Sequence, residues 1–121
     1  MVWDPARIAP RPWEGVLELY RQLAERNDDF RPLLRLVEHV ASQAYARSIF
    51  AATSGTALLV ARQAAVDWAS DALRVDIDLG GTIRFALPVK RLVKPATVEC
   101  EPEKIVEAFE RCLGLSPSSV T

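Results

Sequence analysis

A change of hydrophobic period in the second half of the chain limits the fold more than any other feature. From residue 73 to 89, Leu73, Val75, Ile77 and Leu79 interleave with Arg74, Asp76 and Asp78. After Gly80-Gly81, Ile83, Phe85, Leu87 and Val89 interleave with Arg84, Ala86 and Pro88. A period of two specifies strands with one buried face and one wet face. The turn fixes the register. A two-residue loop at Gly80-Gly81 sets the apolar side chains of one strand beside the polar side chains of the other. A three-residue loop over 79–81 instead pairs Asp78 with Thr82, Ile77 with Ile83, Val75 with Phe85 and Leu73 with Leu87. It also puts Gly81 at the left-handed position of a type I turn with a G1 bulge. Asp76 then faces Arg84 on the wet side, and a slip of one residue would bury charge.

Upstream the period is helical. Trp13, Val16, Leu17, Tyr20, Leu23 and Ala24 fall on one face, opposite Glu14, Glu18, Gln22 and Glu25. Pro12 suits the first helical position, and Pro5, Pro10 and Pro12 make residues 1–12 an extended arm. Asn27-Asp28-Asp29 ends this helix and caps a second one over about 31–46, whose stripe is Leu33, Val37, Val40, Ala41 and Ala44. A last helix follows Pro102 with a face of Ile105, Val106, Phe109, Cys112 and Leu113, a Glu107–Arg111 pair, and Gly114 as its stop. A short strand is expected near 96–100, a short helix over 63–72 in preference to a continuation of the preceding strand, and a frayed tail over 116–121. The chain is 121 residues long, one domain's worth, so residues 13–115 form a single α+β unit. The expected architecture is two-layered: an antiparallel sheet of about four strands in two hairpins, with three amphipathic helices mainly on one face.

The first hairpin differs from the second. Residues 48–53 and 56–62 flank Ser54-Gly55, but neither side is polar. Numbering parity groups Phe50, Ala52, Leu58 and Val60 on one side, and Ile49, Ala51, Ala57, Leu59 and Ala61 on the other. An apolar outer face must be covered. Three covers are available: the arm carrying Trp3 and Ile8, the connector carrying Trp68, or another chain, most simply a second copy. The leading expectation is therefore a non-catalytic interaction module, a homodimer assembling through Phe50, Leu58 and Val60, with Ile49 and Leu59 as the set if the hairpin is flipped.

The alternative is a ligand-binding protein or enzyme with a pocket between sheet and helices lined by Trp13, Tyr20, Tyr45 and Phe85. A third reading has Arg84, Lys90, Arg91 and Lys94 touching nucleic acid. It is disfavoured because Lys+Arg 15 against Asp+Glu 16 gives a net charge of −1, and because Asp76, Asp78, Glu99 and Glu101 lie close by. No nucleotide-binding glycine motif, Cys-x-x-Cys or histidine pair is present, so no cofactor, metal or catalytic set is assigned. His39, the sole histidine, points about 160° from its helix's stripe and reads as a surface residue. Cys100 and Cys112 bracket a helix and are not expected to bridge. Without an apolar run of about 18 residues or a leader pattern, the expectation is a cytoplasmic protein off the membrane. The arginine-over-lysine bias and abundant alanine fit a GC-rich bacterial genome and carry no functional weight.

Overall fold

The computed structural model describes residues 8–63, 66–68, 71–78, 80–88 and 97–115. Two helices come first, α1 (Trp13–Arg26) and α2 (Arg31–Ala41). Five strands follow, β1 (Phe50–Ser54), β2 (Ala57–Ala61), β3 (Leu73–Ile77), β4 (Ile83–Ala86) and β5 (Thr97–Cys100), and then helix α3 (Ile105–Leu113). The strands form one antiparallel meander in the order β1-β2-β3-β4-β5. The fold is thus the two-layer α+β arrangement anticipated from the periodicities. The short strand near 97–100 joins the same sheet and makes it five-stranded.

Local chemistry sets the boundaries. Pro12 precedes α1, and the Asn27 side chain accepts from the Asp29 amide at 2.9 Å, capping the turn that leads into α2. Helix α2 stops short of residue 46. The Ser42 hydroxyl donates to the His39 carbonyl at 2.6 Å, and Gln43 is extended (ψ 149°) before a 3-10 turn at Ala44–Ser48. A hydroxyl bonding back to the preceding turn offers the backbone an alternative to continuing the helix. At the other end Gly114 closes α3 in the left-handed region (φ 64°).

The second hairpin has the register its alternation required: Ile77 faces Ile83, Val75 faces Phe85 and Asp76 faces Arg84. The Gly81 amide donates to the Asp78 carbonyl at 3.0 Å, with Gly81 at φ 83°, and the Asp78 amide donates to the Thr82 carbonyl at 3.0 Å. Leu79 lies outside the described residues. In the connector expected to be a short helix, residues 66–68 and 71–72 hold no helix. A single turn is closed there by the Asp71 amide on the Asp67 carbonyl at 2.7 Å.

The helices cover one face of the sheet. Val16, Tyr20, Leu33, Leu36, Val37 and Val40 of α1 and α2, with Ile105 and Phe109 of α3, pack against Ala51, Leu58, Val60, Leu73, Val75, Ile83 and Phe85. A second, smaller cluster lies on the opposite face at the β1 end: Ala52, Leu59, Ala61, Trp68 and Ala72, with Ile8 and Val66 against it.

Candidate interaction surface

The pairing of the first hairpin decides which of its side chains share a face, and it corrects the sequence-based grouping. A two-residue loop, Gly55-Thr56, sets Ser54 opposite Ala57, so Ala51 faces Val60, Ala52 faces Leu59 and Phe50 faces Ala61. Directly opposed residues lie on the same side of a sheet. With an even loop they have opposite parity, whereas the three-residue loop of the second hairpin keeps parity equal. Leu58 and Val60 are therefore fully buried beneath the helices, as is Ile49 nearly so. They are core residues, not an outer surface. Leu59 is on the outer face but only 3 % exposed, because Trp68, Val66, Ala72 and Ile8 of the same chain lie over it. Phe50, 37 % exposed, is the part of the proposed set that reaches solvent.

The expected pocket residues are brought together as packing. Tyr20 and Phe85 are fully buried, and Trp13 and Tyr45 are partly buried against the same core. Their polar atoms are engaged. Trp13 Nε1 donates to the Ile49 carbonyl at 3.3 Å, Tyr20 to the Thr56 carbonyl at 2.9 Å, and Tyr45 to Glu110 Oε2 at 2.7 Å. Burial, aided by the Asp76 charge, pushes the Tyr20 phenol well above its ordinary range. Burial and the bond to Glu110 do the same for Tyr45. An acid whose folded pKa is raised stabilises the fold fully below its ordinary value, about 10 for tyrosine, and loses that contribution as pH climbs through the raised one. Alkaline titration should show tyrosinate absorbance appearing together with loss of circular dichroism. Tyrosine ionisation at the ordinary pH with the fold intact would contradict this burial.

His39 is half-sheltered rather than free. Its Nε2 lies 3.0 Å from the same Glu110 Oε2, so one carboxylate ties α2, the Ala44–Ser48 turn and α3 together. No local pattern announces this meeting, since the partners are 71 and 65 positions apart. Arg84 is neutralised by Asp78 at 3.6 Å and Glu99 at 3.5 Å. Lys90, Arg91 and Lys94 lie outside the described residues. Both cysteines are free, and burial raises each thiol's pKa, with Cys112 adding to the effect on Cys100. A surface hollow of about 700 Å³ between α1 and α2 is edged by Arg21, Arg31 and Arg35 against Glu25, Asp28 and Glu38, a balanced set already cross-paired at Arg31–Asp28 (2.8 Å).

A different feature distinguishes the two ends of the sheet. Successive residues of an antiparallel strand turn their N–H and C=O groups to alternate edges. The Asp78–Thr82 bond sets the phase: Arg84 and Ala86 face β3, Ile83 and Phe85 face β5. Val98 and Cys100, opposite Phe85 and Ile83, therefore face β4, and Thr97 and Glu99 turn outward. Carried the other way, the same phase turns Ala51 outward on β1. There the Arg11 amide donates to the Ala51 carbonyl at 2.7 Å. Beyond β5, no strand lies among the described residues. Thr97, Val98 and Glu99 are all exposed, although Val98 pairs with the fully buried Phe85 on the helix-covered face. Helix α3 packs over β4, and Cys100 at the end of β5 packs against the same core, while Val98 stays 39 % exposed on the rim.

The fold and this edge define a small two-layer α+β domain whose meander, among the described residues, meets the Arg11 amide at its β1 edge and no further strand at its β5 edge. Comparison with models of protein families, with curated proteins and with solved structures returns no match. Among the described residues, no helix is long and apolar enough to cross a membrane.

Proposed function

We propose that this chain is a non-catalytic interaction module that accepts an added strand along the outer edge of β5. One observation carries the reading: among the described residues, the outward backbone groups of Thr97 and Glu99 have no strand beside them, while the Ala51 carbonyl at the far edge accepts from the Arg11 amide. An unpaired edge is a template for an extended segment, and strand addition is a common mode of peptide recognition in which main-chain bonds give affinity and side-chain pockets give specificity. Val98 supplies the apolar contact on one face, and the Arg84–Glu99 pair supplies charge on the other. This places the interaction one sheet-width away from the first hairpin, whose outer face is filled by its own chain.

The test uses a random extended-peptide display library against the whole protein and its Glu99→Pro variant. Proline at that position removes an outward N–H and spares the ladder to β4, a placement edge strands tolerate. Strand-forming peptides should bind the parent and lose at least tenfold in affinity on the variant. Binders indifferent to Glu99→Pro would move the interaction elsewhere.

A further inference from the structure

We infer that the strand added at β5 is β5 of a second copy of this chain, paired antiparallel about a two-fold axis through Val98. The inference rests on the reading of the β5 edge as the interaction surface and adds the identity and register of the partner.

Symmetry restricts the pairing. Two antiparallel edge strands related by a two-fold axis perpendicular to the sheet keep their helices on the same side, so opposed residues must face the same way. Each residue therefore meets a partner of equal parity. Two registers stay within the described strand. In one, Val98 opposes Val98 of the copy and Thr97 opposes Glu99. In the other, Glu99 opposes Glu99 and Val98 opposes Cys100. Like charges directly opposed are destabilising in a sheet, which disfavours the second. The first matches the backbone. The outward groups are those of Thr97 and Glu99, symmetric about Val98, so a copy rotated about Val98 presents its Glu99 to Thr97 and its Thr97 to Glu99. Every outward N–H and C=O of β5 then has a partner.

The side chains agree. Val98 of each chain falls in the closely spaced, non-hydrogen-bonded pair at the centre, covering an exposed apolar group with its own symmetry mate. Each Glu99, already 3.5 Å from Arg84 of its own chain, meets a threonine rather than a second carboxylate. Val98 reaches solvent on the helix-covered face, so a copy can approach it there. Two five-stranded sheets would become one of ten, with the β1 edges outermost.

Cysteine cross-linking in the full chain, in a Cys100→Ser, Cys112→Ser background, tests the register. Opposed Cβ atoms in such a pair lie about 4.5–5.5 Å apart, near disulfide range. Val98→Cys should oxidise to a covalent dimer. Thr97→Cys and Glu99→Cys should each fail alone and cross-link when mixed. Light scattering on the uncrosslinked protein should show the molar mass rising toward double with concentration, and Glu99→Pro should hold it at one chain with an unchanged circular dichroism spectrum. Cross-linking by Glu99→Cys alone overturns the pairing. So does a molar mass fixed at one chain with no Val98→Cys product. If the chain stays single while library peptides still bind in a Glu99→Pro-sensitive way, the second copy is overturned and the edge reading stands. If peptide binding is lost as well, both fall.

Discussion

β1 and β5 are both edge strands of one sheet, yet they solve the edge problem differently. At the β1 end the chain supplies its own cover: the helix layer on one face, Trp68, Val66, Ala72 and Ile8 on the other, and the Arg11 amide on the outer carbonyl of Ala51. The strand and its neighbour are rich in alanine, and small side chains let the cover approach closely. At the β5 end Cys100 packs against the core but Thr97, Val98 and Glu99 are exposed, the outer face is charged, and the backbone edge is bare among the described residues. Apolar character alone therefore does not mark an interaction surface. What matters is whether the same chain supplies the cover.

The sharpest way to break this contrast is to place a charge at each end. Leu59→Lys puts an ammonium under the Trp68 cover, and it should cost more than about 3 kcal/mol and unfold much of the population. Val98→Lys, on the open rim, should change stability by less than about 0.5 kcal/mol. Chemical denaturation of both variants checks this. Equal costs would erase the distinction. Next in size, Trp68→Ala should cost about 3 kcal/mol and raise binding of a hydrophobic dye as Leu59 and Ala61 are uncovered. A loss below about 1 kcal/mol would mean that the cover is ornamental. Arg11→Pro removes the amide that occupies Ala51 and should cost about 1 kcal/mol, with faster exchange confined to the β1 end. Smallest of all, Arg84→Ala breaks exposed pairs on the charged face and should cost under about 0.5 kcal/mol.

The two ends were also unequally legible in the sequence. The second hairpin could be read down to its register because charge makes a wrong face expensive: Arg74, Asp76 and Arg84 admit one solution, and Gly81 pins the turn. In the first hairpin no polar residue polices the faces. Its faces depend on a loop length of two or three, and counting by parity misassigned Leu58 and Val60 to the outside when the Gly55-Thr56 loop turns them inward. The cover was legible as a set of candidates, Ile8 and Trp68 among them, but which of them closes was a matter of tertiary geometry. The β5 edge was the least visible. Four residues, Thr97–Cys100, carry too little pattern to announce a strand's place in a sheet, and edge or interior is a property of neighbours. His39 shows the same limit, since its orientation on the helix was readable and its meeting with Glu110 was not.

Site-resolved amide exchange along β5, followed from dilute to concentrated protein, is the most direct test of an open edge that becomes paired. The amides of Val98 and Cys100, turned toward β4, should be protected throughout. Those of Thr97 and Glu99 should exchange freely when dilute and slow together as concentration rises. Protection of all four at the lowest concentration would mean the chain already covers this edge. Free exchange of Thr97 and Glu99 at every concentration would mean that no copy adds there.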